Sequence, residues 1–393
     1  MKNYTSSRCD LCGSSKSEII LKSASPFGVT SDSRIVRWSL RKVICKNCGL
    51  VREGNDLSID RLEGHYRDDY SLNVHEYEHV FFRNGVPVAR SAAIAEWISQ
   101  VLEESGLKSR VHSVYEVGAG QGQLIAQLAK MLPGATFSGC EINPLAADIA
   151  RRKLIDVACG ELPAIGTRYD LIIAIWVLEH VPSPRAFLRS LVPYLNRDGS
   201  ILIGQPMQDV GSYDVFFVDH LHHFHTMHIE SLAASCGLIQ TFIAKSPWFA
   251  DSFSIQLLQP GATERRPIEF VPPDSTKEAI EYWEKTFDMI GHLEKEKGYA
   301  IYGMGEIATL LYCYGGLSNL RIVVGLDDLS ERYKTNHLDI KVKKVEELTK
   351  EEKASIFSVI LCMNPIYYDF VSRKCKQHDL EVIRLFDTGS YCR

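Results

Sequence analysis

The sequence predicts an α/β protein with a doubly wound, Rossmann-like core, preceded by a cysteine-knuckle module and followed by a smaller α/β unit. Three observations carry that reading: two CxxC pairs near the start, a long alternation of strand-like and helical segments, and a second, shorter alternation after a proline-rich break. At 393 residues, and at roughly 100–200 residues per domain, two or three domains are expected.

The knuckles are Cys9-Asp10-Leu11-Cys12-Gly13 and Cys45-Lys46-Asn47-Cys48-Gly49. Each pair puts two thiolates on one tight turn, and the glycine lets backbone amides fold back toward sulfur. Two such turns make the tetrahedral sulfur set that zinc prefers, so Cys9, Cys12, Cys45 and Cys48 are expected to hold one zinc ion. A site closed by four thiolates is structural and does no chemistry of its own. The competing reading is a disulfide or redox pair. Against it, Cys140, Cys159, Cys236, Cys313, Cys362, Cys375 and Cys392 are scattered, mostly in apolar runs, as reduced thiols are in a cytoplasmic protein. The 32 residues between the knuckles exceed the common ribbon spacing, which calls for a hairpin or flap there. The module is expected over residues 1–75, ending in His65-Tyr66-Arg67-Asp68-Asp69-Tyr70-Ser71.

The core is expected over residues 76–262. Ile94, Trp97, Ile98, Val101 and Leu102 recur at helical spacing. Strands then alternate with helices: Val114–Val117, helix Leu124–Leu132, Thr136–Glu141, helix Leu145–Lys153, Leu171–Trp176, helix Arg185–Leu195, and Ser200–Gly204. That order implies a parallel sheet covered on both faces. An aromatic stretch with His220, His222, His223, His225 and His228 breaks the rhythm just beyond a strand's carboxyl end, where open α/β sheets place ligands. A helix from Ile229 to Cys236 and apolar strands around Phe242 and Ile255 complete the sheet. Gly261–Pro273 reads as a linker. The last unit, residues 263–393, opens with a charged helix, strand Ala300–Tyr302, the turn Gly303-Met304-Gly305, and strand Arg321–Val324 leading to Asp327.

Composition removes some functions. The net charge is −5 and the isoelectric point near 6.2, so the chain has no general attraction for a polyanion. No run approaches the 18 or so uncharged apolar residues of a membrane helix, and no secretory leader is evident. A soluble cytoplasmic protein, with no nucleic acid or membrane partner, is expected. The oligomeric state is open.

Gly118, Gly120 and Gly122 follow a strand and open a helix, so the backbone turns tightly and comes close to a ligand. Glu116 precedes the first of them. Glu141 ends the next strand, 19 residues beyond Gly122, where an acid accepts hydrogen bonds from ribose hydroxyls. Tyr169-Asp170-Leu171-Ile172-Ile173 leads to Trp176-Val177-Leu178-Glu179-His180-Val181. An NAD-binding unit is the competing reading of the glycines alone. The whole set resembles class I S-adenosylmethionine (SAM)-dependent methyltransferases, over residues 90–260. That resemblance implies a Rossmann-like methyltransferase core whose cofactor contacts are Glu116, Gly118, Gly120, Gly122, Glu141 and Trp176. Cys159 stands where that family usually has an Asp near adenine.

The order of modules further resembles deoxysugar C-methyltransferases that act on nucleotide-linked ketosugars. Thr309-Leu310-Leu311-Tyr312-Cys313-Tyr314-Gly315 is similar to a helix in their carboxyl-terminal unit. Phe217-Val218-Asp219-His220-Leu221-His222-His223-Phe224 resembles their catalytic segment Y-x-E-H-x-x-x-F, with Phe217 in place of Tyr and Asp219 in place of Glu. The resemblance implies His220 as general base, Asp219 as its carboxylate partner, and His180 as a second catalytic group. Tyr70, with Tyr66 nearby, Phe217 and His222 fall on the substrate side. So do Gly303 and Gly305, which would meet the diphosphate or sugar. Abstracting a proton from a carbon beside a ketone suits a histidine titrating near neutrality, and an adjacent carboxylate can orient it. The same groups would serve an O- or N-methyltransferase acting on a sugar or natural-product scaffold. A zinc-ribbon RNA-binding protein is the reading from another class, which the acidic balance opposes.

Overall fold

The computed structural model describes residues 4–70, 78, 80–83, 86–160, 162–164, 166–208, 212–247, 253–261, 268–333 and 338–386. Cys392 and part of the expected linker lie outside them. The chain packs as two units, each assembled from non-contiguous segments. The first comprises Met1–Glu18, Val43–Met207 and Leu221–Pro273; the second comprises Ile19–Lys42, Gln208–His220 and Asp274–Arg393. Where the sequence leads to three consecutive domains (1–75, 76–262 and 263–393), the knuckles group with the central sheet. The residues between them, and the segment ending at His220, group with the carboxyl-terminal sheet.

The first unit is built on seven strands: β1 (Ser113–Val117), β2 (Thr136–Glu141), β3 (Val157–Cys159), β4 (Tyr169–Ile175), β5 (Leu195–Pro206), β6 (Leu238–Lys245) and β7 (Phe253–Pro260). Their spatial order is β3-β2-β1-β4-β5-β7-β6. β1 to β5 are parallel, and β7 runs antiparallel to both β5 and β6. Strand order reverses between β1 and β4, so the carboxyl ends of those two strands form the crevice where such sheets bind ligands. The centre of β4, Leu171 to Ala174, is fully buried, as its unbroken apolar run requires of a strand covered on both faces.

Helices α1 (Arg90–Glu104), α2 (Gln123–Met131), α3 (Pro144–Arg152), α4 (Pro184–Leu191) and α5 (Thr226–Ser235) belong to this unit. The start of α3 follows from its sequence. Asn143 Oδ1 accepts the amides of Leu145 (3.0 Å) and Ala146 (3.1 Å), and Pro144 fills the first turn, where a missing N–H costs nothing. α1 packs its apolar stripe, Ile94, Trp97, Ile98, Val101 and Leu102, against Leu171, Ile173, Leu202 and Ile255 on one side of the sheet. The opposite side buries Ile172, Ile201, Leu258, α4 and α5 in one cluster with Cys9, Leu11, Cys45, Cys48 and Leu50. The knuckles are thus part of the core and not an appendage to it.

In the second unit the carboxyl-terminal sheet contains β8 (Gly298–Tyr302), β9 (Arg321–Leu326), β10 (Val342–Lys343), β11 (Ser358–Leu361) and β12 (Val382–Arg384), all parallel, in the order β10-β9-β8-β11-β12. Its helices are α6 (Asp274–Gly291), α7 (Glu306–Cys313), α8 (Lys350–Ser355) and α9 (Tyr368–Lys376). The hairpin called for between the knuckles is there: Gly28–Val29 pairs antiparallel with Ile35–Val36. No helix among the described residues is long and apolar enough to cross a membrane.

Candidate functional site

In the first unit, β1 ends at Glu116-Val117 and the chain turns through Gly118, Gly120 and Gly122, with φ of 75°, 54° and 74°. Those left-handed conformations suit glycine. A Cβ on Gly118 would lie 2.8 Å from Val177 Cγ2, and one on Gly122 2.8 Å from Ile155 Cγ2, so side chains are excluded on steric grounds as well. Glu141, at the end of β2, braces the turn. Its Oε2 accepts the Gly120 amide and its Oε1 the Asn143 amide, each at 2.8 Å. Burial holds the Glu141 carboxyl above its usual range. Glu116 is buried too, and desolvation, helped by the charge on Glu141, pushes its pKa up to about 8. Its Oε2 has no hydrogen-bond partner among the described residues.

These features fit a cationic, ribose-bearing cofactor. The glycine turn admits a close approach, Glu141 keeps lone pairs for hydroxyls, and Glu116 presents a buried acceptor that a donor would satisfy. Trp176 directly follows β4 with φ of 53°, a conformation uncommon outside glycine. Its indole already has neighbours: the Arg90 guanidinium 3.6 Å above the ring and Phe253 at 4.7 Å between centroids. Cys159, at the end of β3, is exposed.

A change at Gly120 tests the turn. Gly120→Val forces a branched side chain into a left-handed conformation, a strain of roughly 1–3 kcal/mol. SAM affinity by calorimetry is expected to fall at least about tenfold, and Glu141→Ala should also weaken it. Unchanged affinity in Gly120→Val would place the cofactor elsewhere.

Glu116 sets a pH dependence. The folded protein binds this proton more tightly than the unfolded chain, so its contribution to stability is complete below the ordinary 4.5 and is lost as pH rises through about 8. Without cofactor, Glu116→Gln is expected to flatten the decline in stability between about pH 5 and about pH 9 by on the order of 3–4 kcal/mol at most. Parallel pH–melting curves for the two proteins would contradict this.

After β4 comes His180, whose Nδ1 lies 2.7 Å from the Tyr66 hydroxyl. Tyr66 sits in a π-helical turn, His65–Asp69. Tyr70, at the end of that turn, packs 5.4 Å from the Tyr66 ring and 6.5 Å from His180 between centroids. The phenol that reaches His180 is therefore Tyr66, and Tyr70 supports it. His222 is enclosed by neighbouring side chains. It lies in the short strand His222–His223 paired with Arg52 and Val51, it is 1 % exposed, and its ring packs between Tyr4 and Phe224. His225 caps α5. His228 accepts the His225 amide at Nδ1 (3.1 Å) and meets Cys48 O at Nε2 (3.0 Å), and burial lowers its pKa to about 4. His228 is thus a neutral structural group.

Also in the first unit, the sulfurs of Cys9, Cys12, Cys45 and Cys48 lie within 4.8 Å of one another, with Cys9 and Cys48 at 3.6 Å and Cys12 and Cys45 at 3.4 Å. A tetrahedron with zinc–sulfur bonds of about 2.3 Å has edges of about 3.8 Å, so the set is close to the required size. Gly13 and Gly49 have φ of 75° and 80° and donate to Cys9 O (2.7 Å) and Cys45 O (2.9 Å). Four thiolates held this close repel one another, and a bound dication would offset that repulsion. The knuckles also clamp α4: the Asp10 carboxylate accepts from Ser183 Oγ (2.9 Å) and the Arg185 amide (3.0 Å), while the Arg185 guanidinium donates back to Asp10 O (3.0 Å).

In the second unit, His220 and Asp219 face different partners from those expected. The carboxylate on His220 Nδ1 is Asp214, six residues upstream. Asp219 accepts from the Ser31 amide and hydroxyl, both at 2.8 Å. Phe217 packs edge-on against the His220 ring at 5.1 Å. Lys42 Nζ donates to His220 O (2.7 Å), and Val218 N donates to Val29 O (2.9 Å). The Tyr314 hydroxyl accepts the Val29 amide (2.9 Å) and donates to Phe216 O (3.2 Å). The helix motif ending Tyr314-Gly315 thus ties down the segment that carries His220. Gly303 (φ 88°) turns sharply after β8, where a Cβ would meet Cys362 O at 2.9 Å, and Gly305 opens α7 with free space around it. Asp327 Oδ2 accepts the Met304 amide (3.2 Å) and Oδ1 the Leu329 amide (2.9 Å), the same bracing that Glu141 gives its turn.

Comparison with known proteins bears on residues 115–201, which match the family model described as a methyltransferase domain. The chain is 29 % identical over 101 residues to the mitochondrial ubiquinone biosynthesis O-methyltransferase of Schizosaccharomyces pombe, covering 23 % of this chain and 36 % of that protein. It thus spans about a third of the length of this curated relative. Among solved structures it is similar to mitomycin 7-O-methyltransferase (18 % identity, TM-score 0.38, covering 44 % of this chain and 54 % of that one). It is also similar to a plantazolicin methyltransferase in complex with SAH (18 % identity, TM-score 0.37, covering 44 % and 86 %). The matched residues run from within β1, through the glycine turn and Glu141, to the middle of β5: the chain carries a SAM-dependent methyltransferase domain.

Proposed function

We propose that the protein is a SAM-dependent C-methyltransferase acting on a nucleotide-linked ketodeoxysugar, at a carbon beside the ketone, with one structural zinc on Cys9, Cys12, Cys45 and Cys48. The observation that carries this reading is His220, a buried imidazole backed by the Asp214 carboxylate within the segment that resembles the catalytic segment of such enzymes. SAM, when bound at Gly118–Gly122 and Glu141, supplies an electrophilic methyl on a cationic sulfur. His220 removes the proton alpha to the ketone, and His180, oriented by Tyr66, donates a hydrogen bond to the oxygen on which the enolate charge develops. Phe217 brings no hydroxyl and serves as an apolar wall beside the base. The Gly303–Gly305 turn suits a diphosphate.

O-methylation is the second reading, favoured by the O-methyltransferase relative; there His220 would deprotonate a sugar hydroxyl. The test is incubation of the purified protein with SAM and a panel of nucleotide-linked sugars, followed by mass spectrometry and by NMR location of the new methyl. A carbon-bound methyl alpha to the ketone supports the first reading. An oxygen-bound methyl supports the second, and acceptance of none of the sugars overturns both.

A further inference from the structure

Behind His220, within the second unit, lies a line of four buried side chains from two separate parts of the sequence. Thr276 Oγ1 donates to Gln208 Oε1 (3.2 Å), Gln208 Nε2 donates to Asp214 Oδ2 (2.7 Å), and Asp214 Oδ1 meets His220 Nδ1. Their exposures are 2 %, 5 %, 6 % and 5 %, so water does not compete for these bonds. The chemistry of the groups gives the line one direction. An amide that turns its nitrogen to Asp214 must turn its oxygen to Thr276, whose hydroxyl can donate there. Asp214 then accepts at both oxygens, the state of an ionised carboxylate. A carboxylate can only accept, so the proton it shares with the imidazole sits on Nδ1 of the ring.

We infer that Asp214, locked by Gln208 and Thr276, is a positioning residue that fixes the Nδ1–H tautomer of His220 and leaves Nε2 as the nitrogen that takes the substrate proton. The inference rests on the reading of His220 as the base, but it concerns a different observable. A neutral imidazole in water is a mixture of two tautomers; one held against a buried carboxylate is not. The carboxylate also stabilises the imidazolium formed after proton transfer, which raises the basicity of Nε2. Asp214 lies in a short 3-10 turn, Asp214–Phe216, next to the segment fixed by Val29 and Tyr314, so the angle between carboxylate and ring is set from both sides.

The experiment is two-bond ¹H–¹⁵N correlation NMR on protein labelled at histidine ring nitrogens, with His220 assigned by its absence in His220→Asn. The expected wild-type result is a protonated Nδ1 and a lone-pair-bearing Nε2 above neutrality. Asp214→Asn should shift the ring toward the other tautomer or a mixture and lower its titration midpoint, while SAM affinity by calorimetry stays unchanged. Gln208→Met should produce the same change more weakly. Asp214→Glu should partly restore the wild-type pattern. A wild-type His220 ring with protonated Nε2 and bare Nδ1 would overturn the proposal whatever the Asp214 and Gln208 variants do. So would Asp214→Asn signals identical to wild type. If the tautomer is as expected but His220→Asn still transfers methyl groups, the positioning stands and the assignment of the base falls.

Discussion

Cys45→Ser is expected to unfold the seven-stranded unit as a whole. Cys9, Cys45 and Cys48 share one buried cluster with Ile172, Ile201, Leu188 and Ile229, on the face of the sheet that α4 and α5 cover. The second knuckle is also stitched to the rest of the unit by its backbone: Cys48 O accepts from His228 Nε2 (3.0 Å) and from the Val271 amide (3.1 Å). A Cβ on Gly49 would lie 1.7 Å from Val271 O, so that seam has no slack. The free energy of a structural zinc site in small peptides is about 10–16 kcal/mol, comparable with or larger than the whole stability of a domain. Removing one thiolate from the proposed site, or stripping the metal with a chelator, should therefore lower the melting temperature by more than about 10 °C and melt the knuckles and the sheet in one transition. Metal analysis should find one zinc per chain. Freshly purified, folded protein without zinc, or a Cys45→Ser variant with an unchanged melt, would refute the assignment.

Much of this architecture was readable because local chemistry dictates it. β4 is an unbroken apolar run, Leu171 to Ile175, entered from Asp170, which has few homes other than the middle of a two-sided parallel sheet. The glycines of the turn and the acid at the end of β2 announce themselves by type and spacing. Short edge strands do not: β3 and β10, of three and two residues, carry too little pattern to be separated from loop. The grouping of residues 19–42 with the carboxyl-terminal sheet depends on pairings such as Val29 with Phe217, 188 positions apart, for which no local signal exists.

The partner of His220 was misread for a related reason. Adjacency favoured Asp219, but the chain bends at Val218 and Asp219, and Asp219 turns to Ser31 while the ring reaches Asp214. Gln208 and Thr276 carried no motif at all. Tyr66 could have been preferred to Tyr70 only by knowing the π-helical turn that brings it to His180.

Loss of the proposed base, His220, should leave SAM binding intact and stop the reaction, and this separates it from His222, His225 and His228. His222 is packed between Tyr4 and Phe224, His225 caps α5, and His228 is fixed neutral by burial. His220 is backed by the buried Asp214 carboxylate. Removing a positioned general base typically costs 10²–10⁴-fold in rate, so His220→Asn is expected to fall in that range or below detection. Asn is the more informative replacement than Ala. Its amide can still donate to Asp214, whereas Ala leaves that carboxylate buried without the imidazole, a penalty of roughly 1–3 kcal/mol that could be mistaken for a catalytic effect. With SAH in place of SAM and the nucleotide-linked ketosugar that the panel identifies, wild-type enzyme should exchange the alpha proton for deuterium, because abstraction needs no methyl donor. The variant should lose exchange and methylation together while calorimetry shows SAM bound as before. If His220→Asn turns over at the wild-type rate, the base is another group. If wild-type methylates without exchanging the alpha proton and the methyl is found on oxygen, His220 serves a hydroxyl acceptor instead.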